Sequence, residues 1–416
     1  MNKKYLIIVI LSFLIFFSFP PIVTYDSSHY INYIHILENP STLNTWDAVR
    51  GPVFPYFLFL IKKIFGFSPQ IFLAIQYLLY ISTFYLLLKL NKKIFKKELL
   101  ILSILLFLIN PIFIGYFHAI LTEMIAIPLF LIITLFSLKL LEIKNINRKD
   151  FIKYLLIINL LSIFTWHLKQ PYFAIILFQL LILIVIKIFR KEKILHLLIF
   201  LFASLISIVL SNNLWNSVID TSNNNPRSSS GMIKNSTSST LTEAKRGVFP
   251  YANKIIKNYL SLSNIYQIKY DSKAVPISTS TIILGSGNEN HTIGARFLSD
   301  NENIIGGFSI IPEKEYSFYL YQLNDKKYLT KEAIKKTLTV YNYFFTLSII
   351  LTPILTIYFL YQKNYKLLLI TGSSFLFLLM FATLSASIDR YAIPSFLMSI
   401  IGLIYLTTKT KPIKTI

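Results

Sequence analysis

The chain has 416 residues, of which 54% are hydrophobic, 15% aromatic and only 14% charged, a composition that excludes an ordinary soluble domain and reads as a polytopic membrane protein. A formal net charge of +22 would point to nucleic acid in a soluble chain, but here the basic residues gather in alternate loops, so the excess reflects topology and no nucleic acid partner is assigned. With no cysteine in the sequence, disulfides and thiolate metal sites are excluded.

A membrane span needs about 20 predominantly apolar residues to cross roughly 30 Å of hydrocarbon. About ten segments meet that requirement: 4–23, 70–88, 98–115, 123–141, 152–168, 171–188, 196–214, 341–361, 367–386 and 391–407. The predicted fold class is therefore an all-α polytopic membrane protein of about ten transmembrane helices, with an interfacial helix in its first external loop and a small mixed external insert. The first segment has the basic start and apolar core of a signal peptide, but no small-x-small cleavage site precedes Tyr25, and it is read as retained. Basic residues mark one side: Lys3 and Lys4, the run Lys89 to Lys97, Arg148, Lys149 and Lys153, the run Lys187 to Lys193, Lys363 and Lys366, and Lys409 to Lys414. By the positive-inside rule these stretches are cytoplasmic, with both termini inside. The opposite short loops are nearly bare, with Lys169 alone in one and Arg390 alone in another. The abundance of Ile, Lys, Asn, Phe and Tyr also fits an AT-rich coding bias, which inflates lysine without implying a partner.

Three regions follow in chain order. Residues 1–214 form an N-terminal transmembrane module whose first external loop covers 24–69, residues 215–340 an external insert or lid, and residues 341–416 a C-terminal transmembrane module. Within the first loop, Val53 to Phe65 is apolar but too short to span, and it carries Lys62 and Lys63. It is expected to lie along the interface with its lysines reaching lipid phosphates, and Pro52 and Pro55 suit its first turn. The insert begins with a Ser-, Thr- and Asn-rich linker over 216–242. Helices are expected over 243–260 and 328–343, and strands within 275–285 and over 304–311. The string Arg246-Gly-Val-Phe-Pro-Tyr251 echoes Arg50-Gly-Pro-Val-Phe-Pro-Tyr56, but nothing around it is similar, and it reads as coincidence and not as an internal repeat.

This topology carries Asp26, His29, Tyr30, Arg50, His118, Glu123, His167, Lys169, Asp389 and Arg390 to the external face. An ionisable group at a bilayer boundary is costly unless it pairs or works, which makes Asp26, three residues beyond the first apolar run, a candidate for function. The competing account is that loop ends are polar in any case. His118 and His167 read as packing histidines, not as ligands.

In order along the chain these residues resemble the motifs of the GT-C superfamily of integral-membrane glycosyltransferases, in particular the bacterial relatives of protein O-mannosyltransferases and lipid A aminoarabinose transferases. The resemblance rests on an acid followed by a tyrosine (Asp26, Tyr30), and on an Arg-Pro-Pro-like turn into an interfacial helix ending in Phe-Gly (Arg50, Pro52, Pro55, Phe65, Gly66). A Thr-Glu pair (Thr122, Glu123), a basic-x-Pro (Lys169, Pro171) and an acid-Arg-Tyr (Asp389, Arg390, Tyr391) with Pro394 complete it. The large insert carries none of the match. Two departures stand out. Ser27 follows Asp26 where many members have a second acid, so an acidic pair for a divalent cation is not supported and no metal site or other cofactor is assigned. Lys169 replaces the usual arginine and offers a point charge without a bidentate fork.

The resemblance implies an outward-facing enzyme that takes a sugar from a polyprenyl-phosphate donor in the lipid bilayer and passes it to a hydroxyl on a lipid, glycan or protein acceptor. Phosphate is a good leaving group, so one carboxylate suffices as general base, unlike the pair that glycoside hydrolysis needs. Asp26 takes that role, giving inversion. Lys169 and Arg390 hold the phosphate, Glu123 orients a partner or contacts the acceptor, and Tyr30, Arg50, Asp389 and Tyr391 complete substrate binding. The implied location is a bacterial cell membrane with the site outside. Two other classes remain open: an envelope-polysaccharide polymerase or ligase relying on Arg227, Arg246 or Arg296, and a transporter or flippase.

Overall fold

The computed structural model describes residues 3–17, 22–46, 51–66, 69–97, 99–219, 248–263, 274–278, 282–285, 295–297, 331–383 and 393–407. Helices dominate, as backbone groups without water must be satisfied within their own segment. In chain order they are α1 (Lys3–Phe17), α2 (Tyr25–Glu38), α3 (Val53–Phe65), α4 (Pro69–Phe95), α5 (Leu100–Ser103), α6 (Pro111–His118), α7 (Glu123–Glu142), α8 (Arg148–Leu168), α9 (Ala174–Phe189), α10 (Leu195–Val218), α11 (Val248–Ser263), α12 (Lys331–Tyr361), α13 (Tyr365–Thr383) and α14 (Ile393–Thr407). Among the described residues, four short strands, β1 (Ile22–Thr24), β2 (Ala274–Ser278), β3 (Ile282–Gly285) and β4 (Ala295–Phe297), form two antiparallel ladders, β1 with β4 and β2 with β3. The strand expected over 304–311 lies outside the described residues.

Among the described residues, seven helices are long and apolar enough to cross a bilayer: α4, α7, α8, α9 with the turn before it, α10, the part of α12 from Tyr343, and α13. An eighth span results if α5 and α6 count together, since they are joined through a π turn and bent by 55°. Shorter apolar helices, Leu6–Phe17 in α1 and Ile393–Leu406 in α14, fall where the sequence places its first and last spans. The chain is thus a multi-pass helical protein suited to a lipid bilayer.

Local sequence sets the helix ends. Asn147 accepts the backbone N–H of Asp150 at 2.8 Å and donates to that carboxylate at 3.0 Å, a reciprocal cap that starts α8. Asn110 caps α6 from one side only, accepting from Ile112 N at 3.0 Å with Pro111 at the first helical position. The bend before α6 frees carbonyls between Leu105 and Leu108, and side chains take them up. Tyr80 donates to the Phe107 and Leu108 oxygens, Asn110 to Leu106 O at 3.1 Å, and Tyr341 to Leu105 O at 2.6 Å.

α7 is the centre of the bundle. Its membrane window is 72% buried, against 22% for α10 at the rim, and it packs on α4, α6, α9, α13 and α14. Small polar groups stitch the later helices: Thr352 donates to Ser399 at 2.7 Å, and Ser399 meets Ser374 at 2.9 Å. Gln179 of α9 donates to Thr134 of α7 at 2.8 Å.

The helix expected over 328–343 and the span expected over 341–361 are continuous as α12, so the position where insert gives way to membrane module lies inside one helix. In α3, Phe54, Leu58 and Ile61 are buried while Tyr56, Leu60 and Ile64 are exposed. Lys62 Nζ sits 2.7 Å from Glu38 of α2. That lysine therefore has a protein carboxylate as its partner where the sequence predicted a lipid phosphate, because α2 returns directly over α3.

Candidate functional site

Opposite ends of α7 carry different ion clusters. At one end Glu142 meets Lys93 at 3.0 Å and Lys366 at 2.8 Å, with Glu142 44% exposed. At the other end, about 28 Å away along 19 residues of helix, stands Glu123, whose side chain is 0% exposed. A buried carboxylate needs both a counter-charge and hydrogen bonds, and Glu123 has them. Lys169 Nζ is 3.1 Å from Oε1, Tyr172 donates to the same oxygen at 3.0 Å, and Thr122 donates to Oε2 at 3.2 Å. The carboxylate also sits in the first turn of α7, where the helix dipole favours negative charge.

Lys169 is placed by two elements at once. Its N–H closes α8 by donating to Thr165 O at 3.0 Å, and its carbonyl accepts from Tyr172 N at 2.8 Å to open the 3-10 turn Gln170–Phe173. Pro171, within that turn's first positions, has no N–H to leave unsatisfied. The Tyr172 ring lies edge-on to Phe130 with centroids 5.7 Å apart, and the Lys169 ammonium stands 5.5 Å from its centroid.

The first loop joins this cluster through Gly51. A Cβ there would fall 2.0 Å from the carbonyl oxygen of His167, so only glycine permits the approach of this turn to the end of α8, two residues before Lys169. Tyr30 is 4% exposed and meets the Phe54 ring edge-on at 4.7 Å, which fastens α2 to α3. Asp26 is the second residue of α2, and β1, immediately before it, pairs with β4 of the insert through Thr24 and Ala295. Glu123, Lys169 and Gly51 of the first loop thus converge, with Tyr30 in the adjoining packing. Arg50, Asp389, Arg390 and Tyr391 lie outside the described residues.

Tyr172 was missed by reading the sequence. Its place directly after the Lys-x-Pro turn was the signal the sequence offered, and that place does not name the carboxylate its hydroxyl meets. The two histidines behave as packing groups. His118 is 1% exposed, stacks on Phe16 with centroids 4.1 Å apart and bonds Phe16 O through Nε2 at 3.0 Å, which assigns the proton to that nitrogen. His167 is 8% exposed at the end of α8. Among the described residues, no group of three or more His, Asp or Glu side chains is placed to hold a metal ion.

Comparison with protein-family models, curated proteins and solved structures found no match. Glu123, enclosed and bonded through both oxygens, is fitted to orient its neighbours more than to take a proton from an incoming substrate. Its partner Lys169 is 14% exposed and supplies a positive charge at the bundle end where the first loop arrives.

Proposed function

We propose that the chain is an integral-membrane glycosyltransferase of GT-C type, moving a sugar from a polyprenyl-phosphate donor to an acceptor hydroxyl on the external face. Convergence of Glu123, Lys169 and the first-loop turn at one end of α7 supports the reading, because three motifs distant in sequence meet where a lipid-borne phosphate would arrive. In this proposal the chain crosses the membrane about ten times, counting α1, the bent α5 and α6 pair and α14, with both termini cytoplasmic in a bacterial cell membrane. The polyprenyl chain stays in lipid while its phosphate meets Lys169 and Arg390. Asp26 removes the acceptor proton as the bond to phosphate breaks, and the sugar inverts. Glu123 holds Lys169 and Tyr172 in register and acts through them. Arg50, Tyr30, Asp389 and Tyr391 frame the donor, and the pairing of β1 with β4 keeps part of the insert beside α2, where acceptor would enter.

The decisive experiment is transfer from a panel of radiolabelled polyprenyl-phosphate sugars to crude envelope acceptor by purified protein in lipid, with wild type beside Asp26→Asn. Turnover by wild type and a loss of roughly two or more orders of magnitude in the variant is the expected result. Equal turnover would remove Asp26 from the mechanism. Failure of a folded wild type with every donor would favour the polymerase or ligase class, tested next at Arg227, Arg246 and Arg296.

A further inference from the structure

The echo between the strings at 50–56 and 246–251 has a structural counterpart. Both place Val at the first helical position and Pro at the third, Val53 and Pro55 in α3, Val248 and Pro250 in α11, where proline costs no intrahelical hydrogen bond. Beyond that start the two helices differ in the face they bury. Ile61 is 5% exposed, whereas Ile256, its counterpart from the shared string, is 57% exposed. What recurs is a way to begin a helix that lies against the bundle, and α11 must be understood from its own surroundings.

Successive residues of a helix are turned by about 100°, which divides α11 into three faces. Ile255, Asn258 and Tyr259 turn towards the protein: Asn258 donates to Ala382 O at 2.8 Å and Tyr259 to Ile349 O at 2.9 Å. Beside them runs a stripe at spacings of four, Ala252, Ile256 and Leu260, all exposed, with Leu260 at 44%. Asn253, Lys254 and Lys257 form the third face. The hydrogen bonds set the depth. Ala382 is the penultimate residue of α13, and Ile349 lies six residues, roughly 9 Å, inside the point where α12 becomes an apolar span at Tyr343. A helix at the level of the span ends, with protein on one flank, an apolar stripe next to it and lysines opposite, has the geometry of one embedded in a bilayer surface.

We propose that α11 is an in-plane membrane helix whose stripe of Ala252, Ile256 and Leu260 sits at the acyl boundary of the lipid leaflet, while Lys254 and Lys257 meet the lipid phosphates. α11 is thereby moored to the bilayer and does not stand free of it in water. The polar bonds of Asn258 and Tyr259 fix the rotation of the helix, so that only one flank can face lipid.

The absence of cysteine gives a clean background for the test. Single variants Ile256→Cys, Leu260→Cys and Lys257→Cys, with Leu160→Cys in the middle of α8 as the lipid-facing control, are placed in the full-length protein in phosphatidylcholine and phosphatidylglycerol nanodiscs. A fluorescent thiol label reports quenching by nitroxide lipids, and a membrane-impermeant maleimide reports access from water. The expected result is quenching at 256 and 260 by a nitroxide near the headgroup at least three times that by one near the chain terminus, the reverse order at 160, and rapid maleimide reaction at 257 alone. Equal reaction at 256, 257 and 260 without lipid quenching would overturn the proposal. Protection at 256 and 260 without quenching would overturn it too, since another part of the chain would then cover the stripe. No arm measures sugar transfer, so the outcome stands apart from the enzymatic reading.

Discussion

Replacing Lys169 by methionine removes the ammonium 3.1 Å from Glu123 and keeps an unbranched stem of similar length. Glu123, at 0% exposure, would then lose that counter-charge while keeping the hydroxyls of Thr122 and Tyr172 and the start of α7. Stripping one partner from a buried ion pair costs about 3–5 kcal/mol, and the remaining donors place Lys169→Met near the lower end. At about 2 °C per kcal/mol, the large-protein end of the usual range, thermal unfolding in nanodiscs followed by circular dichroism should shift down by about 6 °C. The double variant Lys169→Met with Glu123→Gln removes the stranded charge. It should be more stable than the sum of the single losses by about 0.5–3 kcal/mol. A shift below about 2 °C for Lys169→Met, or strict additivity in the double variant, would refute a coupled buried pair and with it the role given to Glu123 as the anchor of the site.

Other perturbations grade the same reasoning. Tyr172→Phe deletes one hydroxyl donor to Glu123 and should cost about 1.5–3 kcal/mol, less than Lys169→Met in the same unfolding assay; an equal or larger loss would place the main support of the carboxylate on the wrong residue. Glu142→Gln, at the exposed cluster, should change stability by no more than about 1 kcal/mol, with a difference that shrinks as salt is raised; a large loss insensitive to salt would contradict its exposure. Gly51→Ala drives a Cβ to within 2.0 Å of His167 O, and overpacking of this kind should cost about 1–3 kcal/mol, more than Glu142→Gln costs in the same unfolding assay. Neutral behaviour of the alanine variant would show that the turn does not sit against α8. His118→Phe exchanges one hydrogen bond and one partnerless buried nitrogen, Nδ1, for an apolar ring, so stability within about 1 kcal/mol of wild type is expected.

Long apolar runs were plain in the sequence because the bilayer imposes a length and forbids unpaired backbone, and seven of the segments appear as helices able to span. The bend between α5 and α6 was not, since the stretch 98–115 reads as one apolar run and the break depends on distant hydroxyls of Tyr80 and Tyr341. The acid at 123 and the base at 169 were each visible as isolated charges in bare loops. Their contact was visible only through the topology that returns α8 to the start of α7. Tyr172 was hidden for the same reason, as an aromatic residue in an aromatic-rich chain gives no sign of which carboxylate its hydroxyl will meet. Lys62 shows the opposite failure: its position near the end of a short amphipathic helix suggested lipid, and Glu38, on a helix 24 positions away, claimed it.

Between α8 and the turn that opens α9 there is a single residue, Lys169, with its N–H committed backward and its carbonyl forward. Its side chain can be exchanged without altering the path of the backbone. An added or deleted residue there would rotate everything beyond it by about 100° and carry the Tyr172 hydroxyl off the carboxylate. Lineages descending from this protein should therefore hold the spacing between 165 and 172 as firmly as the cation at 169 itself, with changes in the chain length from Glu123 to Tyr172 falling in the loop 143–147.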